Sequence, residues 1–178
     1  MTENIKMNVE EINDYFPLED GWEDGTYLNA KISFKCGGTV LKDEFLEELA
    51  DLIGCTWNAD DVYKVGYGEN SISLIIDNDY WDPDYEKLGV DEEMIHDAEN
   101  VFIKQIIEDK DVYGMYYKIF QDYLIKNNHE KQYDNTYISE AAHYFEEGFE
   151  ECSVAELLSI SEKELEEEIL ADIREDFE

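Results

Sequence analysis

Histidine is the side chain most often recruited for proton transfer near neutral pH, and the chain has three, His96, His129 and His143. None stands in an H-x-x-x-H or H-E-x-x-H arrangement, which would gather a metal on one helix face. Each therefore reads as a surface histidine or a satisfied core one. No G-x-S-x-G, P-loop or G-x-G-x-x-G is present, and Gly66-x-Gly68 is explained by a turn. The segment Asp77-Asn78-Asp79-Tyr80-Trp81-Asp82-Pro83-Asp84 offers carboxylates to a hard cation. It departs from a calcium-binding EF-hand loop, with no glycine at its sixth position and no bidentate Glu at its twelfth. The expectation is a protein without catalytic residues, cofactor or bound metal, and not an enzyme. Carboxylate pairs of the glycosidase kind carry no information here, because 47 acids always supply pairs.

The more informative spacing is that of the carboxylates. Glu44, Glu48 and Asp51 follow one another at intervals of four and three, with Glu47 beside them. On a helix such intervals place carboxylates about 5–6 Å apart along one face, approximating a line of phosphates. Glu164, Glu167, Glu168, Asp172 and Glu175 repeat the device near the C-terminal end. Between them, Asp79, Asp82 and Asp84 flank Tyr80 and Trp81. An aromatic ring beside carboxylates can stack on an arginine while the carboxylates pair with it. These are the candidate partner-binding residues. The ordinary alternative for each row is the solvated face of an amphipathic helix. Few of these rows carry the basic residues at i+4 that normally neutralise such faces.

The elements that must position them are legible from periodicity. Leu28, Ala30, Ile32, Phe34 and Cys36 alternate with polar residues, as in a strand with one buried face. Gly37-Gly38 turns the chain into a helix carried by Leu41, Phe45, Leu49, Leu52 and Ile53, with Gly54 as its expected stop. Val62 to Tyr67 and Ser71 to Asp77 read as a hairpin around Gly68-Glu69-Asn70, and Asn78 to Gly89 as an exposed loop. Helical spacing then takes over. Asp91 caps a helix with an apolar stripe from Met94 to Ile107, and a second covers Val112 to Lys126, ended by Asn127-Asn128. A third spans about Ser139 to Glu147, before Gly148. Ser153-x-x-Glu156 and Ser161-x-x-Glu164 are capping boxes that open a short helix and a final one, the latter with Leu165, Ile169, Ile173 and Phe177 at intervals of four. The fold class expected is α+β, with a small antiparallel sheet and one helix in the N-terminal half and a helical C-terminal half. Residues 1–178 read as a single domain, divisible if at all into lobes 1–89 and 90–178.

Charge dominates the composition. The 178 residues hold 47 Asp plus Glu against 13 Lys plus Arg, a net charge of -34. With 43% hydrophobic and 13% aromatic residues, the chain has too much core material for a disordered acidic tail. Nor is the acid gathered at one end. Residues 1–60 carry 14 acids and 4 bases, net -10; residues 61–128 carry 16 and 6, net -10; residues 129–178 carry 17 and 3, net -14. Such an imbalance costs stability through self-repulsion and so calls for a functional reason. Thirty-four charges match those on roughly 58 Å of B-form duplex, while a compact chain of this length is about 40 Å across. Salt adaptation fits poorly, because the bases are Lys with the single exception of Arg174. Direct binding to nucleic acid or to anionic lipid is opposed by the same field. Cys36, Cys55 and Cys152 are odd in number and widely spaced, so they read as reduced core residues. The N-terminal residues show no basic-then-apolar leader, and no run approaches the length of a membrane span, so the expected location is the cytoplasm.

In size, composition and spread of charge the whole chain resembles the acidic DNA-mimic proteins that phages and mobile elements use against restriction enzymes and CRISPR nucleases. The resemblance rests on no specific motif, so it transfers no functional residue. It implies a stoichiometric inhibitor whose partner is a positively charged nucleic-acid-binding protein, such as Cas9 or a restriction complex, held by nucleic-acid-like charge in its DNA-binding groove. An immunity protein that neutralises a basic nuclease toxin is the alternative, and it would bind one toxin and ignore defence nucleases. The sequence leaves oligomeric state open.

Overall fold

The computed structural model describes residues 5–11, 27–56, 71–77 and 90–177. The fold is α+β, with a three-stranded antiparallel sheet and one helix in the N-terminal half and the remaining helices after it. β1 (Lys6–Glu11), β2 (Tyr27–Lys35) and β3 (Ser71–Asp77) pair in the order β1-β2-β3. Along β2 the alternation is realised as expected: Ile32, Phe34 and Cys36 are buried, whereas Lys31 and Ser33 are half-buried and Lys35 is exposed. Residues directly opposite one another share a face, so Met7 against Phe34, Val9 against Ile32, and Ile72 against Ile32 extend that apolar side. β1 was not anticipated, although Ile5, Met7 and Val9 already carry the period of two; its charged neighbours obscured it. The hairpin segment Val62 to Tyr67, with its connector, lies outside the described residues.

At the end of β2 the backbone needs glycine. Gly37 adopts φ 57° and Gly38 φ 148°, values that side chains rarely tolerate, and the amides of Gly38 and Thr39 both donate to the Cys36 carbonyl at 2.9 Å. α1 (Asp43–Thr56) follows, burying Phe45, Leu46, Leu49, Ala50 and Ile53 and lying against β3. It runs past Gly54, contrary to the expected stop, so Gly54 lies buried within the helix rather than ending it.

The chain divides into two compact units, Met1–Phe102 and Ile103–Glu178, so the boundary falls inside α2 (Glu92–Lys110). α2 begins as expected, with the Met94 amide donating to Asp91 Oδ1 at 2.9 Å. In the second unit, α3 (Val112–Lys126) is the central element, with Val112, Tyr116, Phe120 and Leu124 buried, packed against α4 (Asn135–Phe149) and α6 (Glu162–Glu175). α4 starts four residues before Ser139, because Asp134 caps it by accepting from the Tyr137 amide at 3.0 Å, and it continues through Gly148. Asn128, at φ 59°, ends α3 with the paired bonds of a Schellman motif: its amide donates to Ile125 O and that of His129 to Leu124 O. α5 (Val154–Ser159) and α6 both open on complete capping boxes. Lys110 Nζ donates to the Ile160 carbonyl at 2.7 Å, tying the end of α2 to the α5–α6 connection.

Candidate functional site

The four α1 acids fall within an arc of about 100° on a helix of 3.6 residues per turn. Glu44, Glu47 and Asp51 are exposed and Glu48 is half-buried, and the last turn of α1 holds no basic residue. Asp79, Tyr80, Trp81, Asp82 and Asp84 lie outside the described residues.

On α6 the five acids occupy an arc of about 140° adjoining the buried seam Leu165, Ile169 and Ile173. All five are exposed, yet they are not equivalent. Glu164 is committed to its capping box: its Oε2 accepts from the Ser161 amide at 2.9 Å and from the Ser161 hydroxyl at 2.7 Å. Those bonds hold its carboxyl below the usual carboxylate range. Glu167 pairs with Lys163 at 3.0 Å. Asp172 accepts from the Tyr116 hydroxyl at 2.7 Å. Glu168 and Glu175 have no hydrogen-bond or ion-pair partner for their carboxylates among the described residues. Within this row they are the pair left wholly for an outside cation.

Asp172 also leads to a feature that spacing did not reveal. It forms one wall of a cleft of about 360 Å³ between α3, α4 and α6, lined by Tyr116, Tyr137, Glu140, Ala141, Tyr144, Phe145, Asp172 and Asp176. Its floor is aromatic, with the Tyr116 and Phe145 rings 4.9 Å apart. Its rim is carboxylate, and no basic side chain lines it. Tyr144 is 75% exposed and Tyr137 41% exposed, although both sit in a helical pattern that reads as an apolar stripe. Burial, reinforced by the hydrogen bond to Asp172 and by its charge, pushes the Tyr116 phenol far above the ordinary tyrosine range. Burial and the charge of Asp176 push Tyr137 in the same direction. Of the lining residues only Asp172 was singled out from sequence. The signal that could have found the others is Tyr137, Ala141, Tyr144 and Phe145 at i, i+4, i+7 and i+8, a stripe too rich in hydroxyls for a dry core.

Each histidine has its own neighbours. His96 is exposed beside Asn100 at 3.3 Å, and His143 is exposed, 3.8 Å from Glu146 and against the Tyr113 ring. His129 stacks on Phe177. Among the described residues no group of three or more His, Cys, Asp or Glu side chains is placed to hold a metal ion, and no helix is long and apolar enough to cross a membrane. The chain matches no family model, no curated protein and no solved structure.

Proposed function

We propose that this protein is an inhibitor that occupies the nucleic-acid-binding groove of a bacterial nuclease complex, a CRISPR nuclease such as Cas9 or a restriction enzyme, and blocks DNA binding. The observation that carries this reading is a net charge of -34 on the chain, with carboxylate faces on separate described helices and only 13 Lys and Arg against 47 acids. A basic groove evolved to hold phosphates attracts such a surface by the same long-range field. Aromatic rings beside carboxylates add a means of engaging the arginines of such a groove.

The test is a gel shift of guide-loaded Cas9, and separately of a restriction complex, on labelled target DNA with this protein titrated in at fixed salt. Loss of the shifted band at near-stoichiometric protein is the expected result. An undisturbed band with both complexes would sink the reading and favour an immunity protein for a basic toxin. Replacing the acids of one face together, Glu→Gln and Asp→Asn, should weaken inhibition far more than any single replacement.

A further inference from the structure

We infer that the cleft between α3, α4 and α6 receives an arginine side chain of a protein partner. This deepens, and rests on, the reading of a basic partner, by naming the chemical group that one particular site takes.

The argument begins with charge. Glu140, Asp172 and Asp176 face one recess, and no cation lines it. Neither Glu140 nor Asp176 has a hydrogen-bond or ion-pair partner for its carboxylate among the described residues. The charge of the recess is therefore complementary to a positive group. Its shape selects among cations. A guanidinium is planar, weakly hydrated and able to lay its face on an aromatic ring while its edge donates to carboxylates, whereas an ammonium is a compact, strongly hydrated point charge. The cleft offers both surfaces at once, the accessible rings of Tyr137, Tyr144 and Phe145 and the oxygens of the acids. One of those acids is already aimed: the Tyr116 hydroxyl, itself on a residue only 1% exposed, holds Asp172 Oδ2 at 2.7 Å. A carboxylate fixed by such a bond loses less freedom on pairing.

Size and exposure agree. A volume of about 360 Å³ lies at the small end of the range for ligand sites, suited to one long side chain rather than a cofactor. The exposed ring of Tyr144 is left half of a stacked pair, which an incoming guanidinium completes.

The experiment follows tyrosine ring signals by NMR, on the full chain at physiological salt, during titration with end-capped Gly-Arg-Gly, Gly-Lys-Gly and neutral Gly-citrulline-Gly peptides. The arginine peptide should shift the Tyr137 and Tyr144 rings saturably, the lysine peptide should bind at least fivefold more weakly, and the citrulline peptide should leave the rings unmoved. The double variant Glu140→Gln/Asp176→Asn should abolish the arginine effect. Glu92→Gln/Glu93→Gln removes the same charge from α2 and should leave the effect intact. Tyr144→Ala, which sacrifices an exposed ring, should weaken binding severalfold without altering the circular dichroism. Equal binding of arginine and lysine peptides, or equal losses in the α2 and cleft variants, would overturn the inference and reduce the effect to the general field. Displacement of DNA from a nuclease without arginine-peptide binding overturns this inference alone, whereas peptide binding with no effect on any nuclease overturns the nuclease reading alone.

Discussion

A phenol that donates to a carboxylate inside a packed helix interface has a protonation state tied to the fold. Tyr116 keeps its proton in the native state well past the pH at which an unfolded tyrosine, near 10, would lose it. Since the native value lies above the unfolded one, the stability contributed by this group is complete below about pH 10 and is lost as pH rises beyond it. Thermal midpoints measured between pH 8 and 11 should therefore fall at the alkaline end. The fall should be shallower in Tyr116→Phe, with Tyr137 supplying part of the remainder because its shift has the same sign. At neutral pH the same substitution removes one hydrogen bond and should cost about 1 kcal/mol by denaturant titration.

Helix ends show why so much of the helical half could be read in advance. A capping box is written in four consecutive residues, and both are formed here, with Ser153 and Ser161 each receiving and returning a bond. Ser161→Ala should cost about 1 kcal/mol, with a loss of helical ellipticity that heating enlarges. Because these bonds lower the Glu156 and Glu164 carboxyls, their contribution is present above the ordinary carboxylate range and disappears as acid titrates through it. Asn128 at positive φ is a further local signal, and Asn128→Ala should destabilise by about 1 kcal/mol, seen as a lower urea midpoint. Other ends were not legible because distant contacts decide them. A glycine inside a helix costs up to about 1 kcal/mol relative to alanine, less than burying a large apolar side chain returns, so α4 passes Gly148 to bury Phe149. The cleft was hidden for the same reason. Its hydroxyl and carboxylate, Tyr116 and Asp172, are 56 residues apart, and no periodicity within one helix shows which aromatic ring remains outside.

At the scale of the whole molecule, charge was the most readable property and contact geometry the least, since counting acids requires no knowledge of which helix faces which. A chain at -34 carries a field that salt screens over about 8 Å at physiological ionic strength. Affinity for a basic groove, measured by calorimetry so that DNA is absent, should fall at least tenfold between about 50 and 200 mM salt. A salt-insensitive affinity would point to apolar docking instead. The scarcity of bases has another consequence, for proteolysis. Trypsin finds only 13 lysines and arginines in 178 residues, and two of them, Lys163 and Arg174, lie on α6. A protease needs several residues of extended chain, so nicking after Arg174, two residues from Asp172, samples the moments when that end of α6 unwinds and Asp172 leaves Tyr116. The tryptic fragment ending at Arg174 thus forms a clock for the opening of the cleft, one that an occupant bridging α4 and α6 would slow.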